Sequence, residues 1–419
     1  MFLTKLKELL WGAPAIAVFT AFGVYFAVKT GLYSPRAVLR ELKKAFSAFG
    51  RKGGGGISPF AAAATALGGT VGAGSIMGVG YGIATGGAGS VFWMWVFSFF
   101  AVGLKYAETR VALRGRGAEG TGGRGGAHCR LCSLGYKRLA ALFCFACILC
   151  SFGTGNAAQS GAAAQFLLGL NIPGIPAALI CVFAVGAAVF GGGKRIIRFN
   201  AAAVPFASAV YICACAALLC LNARGLPGAF AQIFTQAFGI KQAAGGFSGA
   251  MLAAALREGC ARSVFSTEAG MGSSPLAHSA SAGDEETQCA FAVLETVFDT
   301  FAVSTLTALC LLCGGCGSVR ELFESSWGAP GGLLFGAAAA AFAYASVISW
   351  SYYAQTCVSY LFGHKKAPVF IFRALFSLAA GLGALVPSGA LIAASDVMNL
   401  FMAAPNLFLL YKCRKEVTL

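Results

Sequence analysis

The sequence predicts an all-α protein that crosses a membrane many times, with about eleven transmembrane helices. Of its 419 residues, 58% are hydrophobic and only 11% are charged, whereas a soluble domain carries about 25% charged residues. Apolar stretches of roughly 20 residues, the length of a spanning helix, recur from one end of the chain to the other. A soluble globule and a disordered chain are therefore excluded. The net charge of +16 sits mainly in short connections, so it does not indicate nucleic-acid binding.

The predicted spans follow one another closely, so the chain 1–419 is expected to form a single transmembrane domain. One further segment, 226–243, has amphipathic spacing and is expected to lie along the membrane surface. The candidate spans fall near 11–31, 57–84, 88–113, 138–168, 172–192, 200–221, 247–277, 287–314, 331–362, 367–384 and 388–411.

The distribution of basic residues predicts the orientation of these spans. Connections on one side hold most of the lysines and arginines, in the segments 29–52, 105–138, 194–198, 365–373 and 412–415. Cytoplasmic loops of membrane proteins are enriched in these residues. We therefore expect a protein of the cell (inner) membrane with its N-terminus outside and its C-terminus in the cytoplasm.

The ten spans after the first (11–31) divide into two sets of five, 57–221 and 247–411. An odd number of spans in each set turns the second set upside down relative to the first. The first span of each set is interrupted, by GGTVGAGS at 68–75 and by FSTEAGMGSSP at 265–275. Broken helices at bilayer depth are tolerable only where they face a cavity or a ligand, and matched pairs of them indicate a transporter's midplane binding site. Close helix packing at glycine is the alternative.

Several segments also follow the pattern of a known family. They are 57–60, 70–75, 92–96, 298–308, 350–363 and 396–407, together with 265–278, where FSTEAGMGSSP parallels FSNEAGMGSAP. These segments resemble the alanine or glycine:cation symporter family, the sodium:alanine symporters. The resemblance implies a leucine-transporter-like fold and sodium-driven uptake of a small neutral amino acid, alanine or glycine, by alternating access.

The two interrupted helices supply the expected substrate site. Backbone N–H groups at the start of a helix attract a carboxylate, and carbonyls at the end of another attract an ammonium group. The resemblance adds a glutamine that hydrogen-bonds the substrate, and large apolar side chains that wall the pocket; ordinary helix packing is the alternative for these. The candidates are Ala73, Gly74 and Ser75 for the carboxylate, Phe265, Ser266 and Thr267 for the ammonium group, Gly270 in the second interruption, Gln159, and the walls Met271 and Trp350.

Sodium is a hard cation that seeks oxygen ligands, by analogy with calcium and magnesium. In the inferred fold the carbonyls of Gly68 and Val71 face the hydroxyls of Ser346 and Ser349, and we expect these to bind the co-transported ion. No other cofactor is expected.

The chain departs from the family pattern at this site. Ser75, Thr267 and Gly161 stand where the family has asparagine, and Ala345 precedes Ser346 where Ser-Thr is frequent. These departures predict a larger pocket or a bridging water, and they leave the substrate and the sodium stoichiometry open.

Ionisable residues at membrane depth are functional candidates. Glu268 is expected to gate or to pair with a cation such as Arg262, and Asp299 to cap a helix or relay a proton. Structural ion pairing is the alternative for both. Arg257, Glu258 and Arg262 are expected to form an entrance network.

The sixteen cysteines mostly lie in apolar runs, where free cysteine behaves as a small hydrophobic residue. The segment 128–132, HCRLC, resembles half a zinc site, but no partner pair at metal-ligand spacing follows it. The sequence therefore does not predict structural zinc.

Other functions are less well supported. An enzyme is disfavoured because the chain has only three histidines and no readable nucleophile–base pair. An ATP-driven pump would need a phosphate-binding G-x-x-x-x-G-K-[ST] loop, and a channel would need a filter motif; neither is recognisable. A diverged symporter with another small zwitterion or with proton coupling, and an amino-acid sensor without transport, remain alternatives. The oligomeric state is not predicted.

Overall fold

The computed structural model describes residues 2–51, 56–72, 74–117, 125–239, 248–315, 318–386 and 388–418. Within these ranges the regular structure is helical, apart from one parallel bridge between Ile57 and Ser281. The first half contains α1 Phe2–Leu10, α2 Ala13–Lys29, α3 Pro35–Ser47, α4 Pro59–Thr70, α5 Val79–Gly86, α6 Gly89–Leu113, α7 Ala127–Ser133, α8 Lys137–Phe152, α9 Ala158–Gly169, α10 Gly174–Val189, α11 Gly193–Leu221 and α12 Leu226–Ala237.

The second half follows the same style of long helices joined by short connections. It contains α13 Ser248–Thr267, α14 Pro275–His278, α15 Glu285–Val297, α16 Thr305–Gly314, α17 Val319–Leu361, α18 Lys366–Leu385 and α19 Ser388–Cys413. Wider π-helical turns precede α5 and join α8 to α9 and α15 to α16, over Gly74–Gly78, Gly153–Ala157 and Phe298–Ser304. Such turns occur frequently at functional sites.

Each predicted span coincides with a helix or with an interrupted pair of helices. By length and apolar composition, 7 of the described helices can cross a membrane, or 8 if the bent pair Pro59–Thr70 and Gly74–Gly86 counts as one span. The prediction of eleven is therefore only partly matched. Two of the remaining helices, α2 and α10, have 17 and 16 residues, and α13 carries Arg257, Glu258 and Arg262.

Helix α6 lies at the centre of the packing that positions the site, in contact with α2, α13 and α15. Small residues allow a close approach of α6 to α2: a Cβ at Gly103 would lie 2.5 Å from the backbone of Ala27 on α2. Helix α17 packs against α4, α8, α9 and α11. The helix before the first interruption thus packs on α17, and the helix before the second packs on α6.

The connections predicted to be cytoplasmic meet one another in a network of ion pairs. Arg110 and Arg114 at the end of α6 pair with Glu285, the first residue of α15, and Arg130 on α7 pairs with Glu416 near the C-terminus. The acidic loop at 284–286 therefore neutralises part of the basic cluster.

Candidate functional site

The first interruption follows α4. This helix ends at Thr70, Val71 has an extended conformation with ψ 96°, and helical structure resumes as the π turn at Gly74. Glycine is required at two positions here because side chains of other helices lie very close to the backbone. A Cβ at Gly69 would lie 2.4 Å from the Tyr353 hydroxyl, and one at Gly74 would lie 2.6 Å from the Phe265 ring. Ala73, a predicted carboxylate ligand, lies outside the described residues.

The second interruption lies between α13 and α14. The helix ends at Thr267 and begins again at Pro275. The connection turns through three residues in the left-handed region, Glu268 (φ 55°), Gly270 (φ 84°) and Gly272 (φ 73°). A side chain is disfavoured in this region, so Glu268 is held there by its surroundings. Both interruptions predicted from the sequence are therefore present in the structure.

A lysine and a glutamate on α6 hold the second interruption open. Lys105 donates a hydrogen bond to the Thr267 carbonyl (2.6 Å), and one carboxylate oxygen of Glu108 accepts from the N–H groups of Gly270 (2.9 Å) and Gly272 (3.1 Å). Asn406 on α19 donates to the same oxygen (3.0 Å). The cation thus caps the end of a helix, where the dipole is negative, and the carboxylate satisfies the bared N–H groups.

This role of α6 was not predicted from the sequence. Lys105 was expected among the charges of a cytoplasmic loop, whereas its side chain is fully buried within α6. The available signal was a pair of opposite charges three residues apart near the C-terminal end of an apolar span, a pattern that marks function or pairing at membrane depth.

The buried carboxylate of Asp299 connects the two interruptions. The hydroxyls of Ser75, from the first interrupted segment, and of Ser266, from the end of α13, both donate hydrogen bonds to it. Ser304 lies 3.3 Å from the Ser266 hydroxyl. Asp299 comes from the π-helical turn between α15 and α16, and all four side chains are fully buried or nearly so. The carboxylate and hydroxyl oxygens are of the kind that hard cations prefer.

The two hydroxyls among the predicted sodium ligands hydrogen-bond to carbonyl groups of α4, to those of Gly69 and Thr65 rather than those of Gly68 and Val71. Ser346 on α17 donates to the Gly69 carbonyl (3.0 Å), and Ser349 donates to the Thr65 carbonyl (2.8 Å). Asn200 on α11 donates to the Ser349 hydroxyl (2.8 Å), and its own carbonyl oxygen accepts no hydrogen bond within the described residues.

Of the two predicted carbonyl ligands, Gly68 borders the Ser349 hydroxyl. A Cβ at Gly68 would lie 3.0 Å from the Ser349 oxygen, and Val71 is buried. Sequence reasoning did not identify Asn200, which lies in an apolar helix without a motif.

Of the remaining predicted substrate residues, Gln159 borders the first interruption, and Met271 lies within the second. A Cβ at Gly72 would lie 2.7 Å from the Gln159 side-chain oxygen, and one at Gly155 would lie 2.3 Å from Trp350. Trp350 and Met271 are buried in the same apolar cluster.

None of these side chains is more than 4% exposed, and the same holds for Ser75, Phe265, Ser266 and Thr267. The structure is therefore closed around the predicted site.

Four charged side chains form a buried network next to the Phe265 ring. We call it the outer network, and its members are Lys7, Glu258, Arg262 and Asp396. Lys7 on α1 donates to both carboxylate oxygens of Glu258 (2.8 Å each) and lies 3.2 Å from Asp396 on α19. Arg262 pairs with Asp396 and lies 5.1 Å from the Phe265 ring. The predicted entrance residues Glu258 and Arg262 are brought together, and the network also includes the buried Lys7 and Asp396.

The predicted pairing of Glu268 with Arg262 is wrong, because the two side chains have different partners. Arg262 pairs with Asp396 in the outer network, whereas Glu268 accepts a hydrogen bond from Ser273 within its own turn. Arg262 lies within α13, more than one helical turn before the helix ends at Thr267, and Glu268 follows that end.

Comparisons with known proteins agree with this architecture. The profile described as the sodium:alanine symporter family matches residues 1–418. The "Sodium/alanine symporter AgcS" of Methanococcus maripaludis is 32% identical over 423 residues, which cover 96% of this chain and 92% of that protein. The "Probable sodium/glutamine symporter GlnT" of Bacillus subtilis is 30% identical and covers 88% of this chain and 78% of that protein.

A solved structure has the same fold. The crystal structure of MhsT in complex with L-phenylalanine, a protein of the leucine-transporter-like fold, matches with a TM-score of 0.59. The match covers 85% of this chain and 89% of MhsT at 16% sequence identity. The expected fold is therefore confirmed at the level of overall architecture.

Proposed function

Because the chain belongs to the sodium:alanine symporter family, we propose that it takes up a small neutral amino acid, alanine or glycine, together with sodium. The chain is a multi-pass membrane transporter and not an enzyme. The observation that carries the proposal is the meeting of two interrupted helices: Ser75 of one and Ser266 of the other share the buried carboxylate of Asp299. A zwitterion needs such a place, where bared N–H and carbonyl groups are close together.

The substrate is proposed to lie between these segments. Its carboxylate would bind at Ala73, Gly74 and Ser75, and its ammonium group at the carbonyls of Phe265, Ser266 and Thr267. Lys105 already hydrogen-bonds the Thr267 carbonyl, so Phe265 and Ser266 are the stronger candidates. Gln159 would donate or accept a further hydrogen bond. Gly270, whose N–H is taken by Glu108, would shape the turn, and Met271 and Trp350 would limit the pocket.

Sodium is proposed to bind between α4 and α17, at the carbonyls of Gly68 and Val71 and the hydroxyls of Ser346 and Ser349. The hydrogen bonds that already join these two helices support this assignment. The buried carbonyl oxygen of Asn200 adds a candidate ligand. Movement of α4 relative to α17 would then both release the ion and open the substrate site.

We propose that the protein crosses the membrane eleven times. The sets 57–221 and 247–411 form an inverted repeat after the extra span 11–31, with the N-terminus outside and the C-terminus cytoplasmic. Matching helical breaks at corresponding positions of the two sets support this arrangement. Alternating access would be the rocking of the two interrupted helices around the midplane site.

Uptake by purified protein in proteoliposomes tests the proposal. An inward sodium gradient should drive labelled alanine or glycine above its external concentration, whereas potassium in place of sodium should not. Ser349→Ala should lower the apparent sodium affinity, with the exposed Ser47→Ala as its control. Equilibration of substrate without accumulation would indicate a channel, and binding without flux would indicate a sensor.

A proton-coupled symporter is the second candidate, and the buried Asp299 favours it. Burying a carboxylate is costly unless it is paired or protonated, and two serine hydroxyls are its hydrogen-bond partners among the described residues. An inward proton gradient in sodium-free proteoliposomes distinguishes the two ions. Accumulation under that gradient would replace sodium by protons as the coupled ion.

A further inference from the structure

A second group of buried polar atoms lies where α7, α8 and α17 meet, next to the second interruption. The imidazole of His128 on α7 and the thiols of Cys144 on α8 and Cys357 on α17 offer one donor atom each, and these atoms lie within 4.8 Å of one another. Each of the three side chains is at most 1% exposed. Residues far apart in the sequence therefore converge on one point.

Further sulfur atoms surround this group. Cys147 lies one helical turn from Cys144 on α8 and is equally buried. The Cys129 sulfur lies 3.2 Å from Nε2 of His128. Thiol and imidazole are the ligands that zinc and other soft cations prefer.

Aromatic rings hold the imidazole in place. The Phe143 ring is stacked on it at a centroid distance of 6.3 Å, and the Tyr360 ring meets it edge-on at 4.9 Å. A ligand that is positioned before the ion arrives loses less entropy on binding. The imidazole is thus preorganised for binding, which packing of small hydrophobic cysteines would not require.

We propose that His128, Cys144 and Cys357 bind a zinc-like divalent cation, with Cys147 as the fourth ligand or one close to it. Zinc bound by thiolate and imidazole is tetrahedral, with bonds of about 2.0–2.3 Å. The ligand atoms of such a complex are roughly 3.5 Å apart, whereas the three donor atoms here lie within 4.8 Å of one another. Rotation of the cysteine side chains can bring them closer. The thiols of Cys144 and Cys357 release two protons to solvent when they become ligands, and the two thiolates cancel the charge of the ion. Cys147, as a fourth ligand, would bind as the neutral thiol.

Charge neutrality decides which ion suits the site. A neutral complex can be buried among apolar residues at little cost, whereas an uncompensated divalent charge cannot. Such an ion would join the short helix α7 to α8 and α17 on the side predicted to be cytoplasmic, where thiols stay reduced. The proposal does not depend on which substrate the protein transports.

Cobalt titration of the purified protein tests the site. The protein is freed of its affinity tag, reduced, treated with chelator and titrated with Co²⁺ in detergent. We expect about one ion per chain, thiolate-to-cobalt charge-transfer absorption and the visible bands of a tetrahedral complex, all abolished by added Zn²⁺. Absence of thiolate absorption in this protein would overturn the proposal.

Variants locate the ion. Cys144→Ser and Cys357→Ser should each weaken Co²⁺ binding by roughly tenfold or more, whereas Cys260→Ser, which removes an equally buried thiol on α13, should bind like the parent. Zn²⁺ should raise the thermal unfolding midpoint of the parent and of Cys260→Ser only. Unchanged binding in the first two variants would place the ion elsewhere.

Two controls keep the result interpretable. If a serine variant does not give a monodisperse peak in size-exclusion chromatography, His128→Gln replaces it, and the titration of the parent protein still decides. Mass spectrometry after alkylation without reduction detects any Cys144–Cys357 or Cys147–Cys357 disulfide. A disulfide in the protein as isolated, with no metal bound after reduction, would contradict the proposal.

Discussion

Asp299 has the most unusual surroundings of any single side chain near the interruptions. It is fully buried, and serine hydroxyls from two different segments donate to it. Hydroxyls offset the loss of hydration of a carboxylate only in part. A cation or a proton at this position would therefore be bound more tightly than at an exposed carboxylate.

The substitution Asp299→Asn tests this charge while keeping the shape of the side chain. We expect sodium-driven uptake to fall by about tenfold or more, since one charged interaction with a buried cation contributes roughly 1.5–3 kcal/mol. The measurement is initial uptake against sodium concentration. Glu286→Gln, an exposed carboxylate with 71% side-chain exposure, is the matched control. Equal sodium dependence in both variants would exclude Asp299 from the coupling.

Gly74→Ala tests the close approach of the two interrupted segments. The added Cβ would lie 2.6 Å from the Phe265 ring, a distance that forces the ring or the backbone to move. We expect loss of the thermal shift caused by alanine, with little change in expression. At Gly80, in contrast, an added Cβ meets only Leu311 at 3.7 Å, so Gly80→Ala should behave like the parent. Normal substrate binding by Gly74→Ala would refute the carboxylate assignment.

The turn between α13 and α14 depends on α6, a helix that is far from it in the sequence. Glu108 on α6 accepts hydrogen bonds from two N–H groups that the interruption leaves free, and Lys105 caps the helix that ends there. Glu295 on α15 lies 3.1 Å from Lys105 and 3.0 Å from His278. The broken segment is thus held by side chains of α6 as well as by the hydrogen bond between Ser273 and Glu268 within the turn.

Glu108→Ala should therefore destabilise the protein. It leaves two buried N–H groups unsatisfied, and each such group costs about 1–3 kcal/mol. Thermal unfolding in detergent should show a clearly lower midpoint than that of Glu324→Ala. The control Glu324→Ala breaks a surface ion pair between Arg320 and Glu324, whose side chains are 38% and 41% exposed, respectively. Such surface pairs contribute about 0–1 kcal/mol to stability. Equal midpoints would show that the turn does not depend on Glu108.

The outer network joins parts of the whole molecule that are distant in sequence. Lys7 belongs to the helix that precedes the first predicted span, Glu258 and Arg262 to α13, and Asp396 to α19. This network closes the face of the site that borders Phe265. Opening on that side would require the four charges to separate.

Lys7→Met removes one cation from the network and leaves two carboxylates with Arg262 alone. Breaking a buried ion pair costs about 3–5 kcal/mol, so we expect a lower unfolding midpoint and altered uptake. Lys43→Met, at an exposed position on α3, is the control for the loss of one positive charge. If Lys7→Met unfolds and transports like this control, α1 does not contribute to the closed state. Adding Glu258→Gln to Lys7→Met should restore part of the lost stability.

The spans and their interruptions were predictable because the information is local. Apolar length predicts a helix, and clustered glycines with a proline predict where it breaks; the structure has breaks after Thr70 and after Thr267, within the two predicted segments. The approach of Ser346 and Ser349 to α4 was also anticipated, through the family resemblance.

Partners across the molecule were not predictable, because no local pattern encodes them. The sequence by itself determined that this is a membrane protein with paired helical breaks, since hydropathy and helix propensity act over neighbouring residues. Only the tertiary structure decided that Lys105 and Glu108 hold the second break, that Lys7 meets Asp396, and that His128 meets Cys357. Those contacts follow from helix packing, which brings buried polar groups together because each must find a partner in the absence of water.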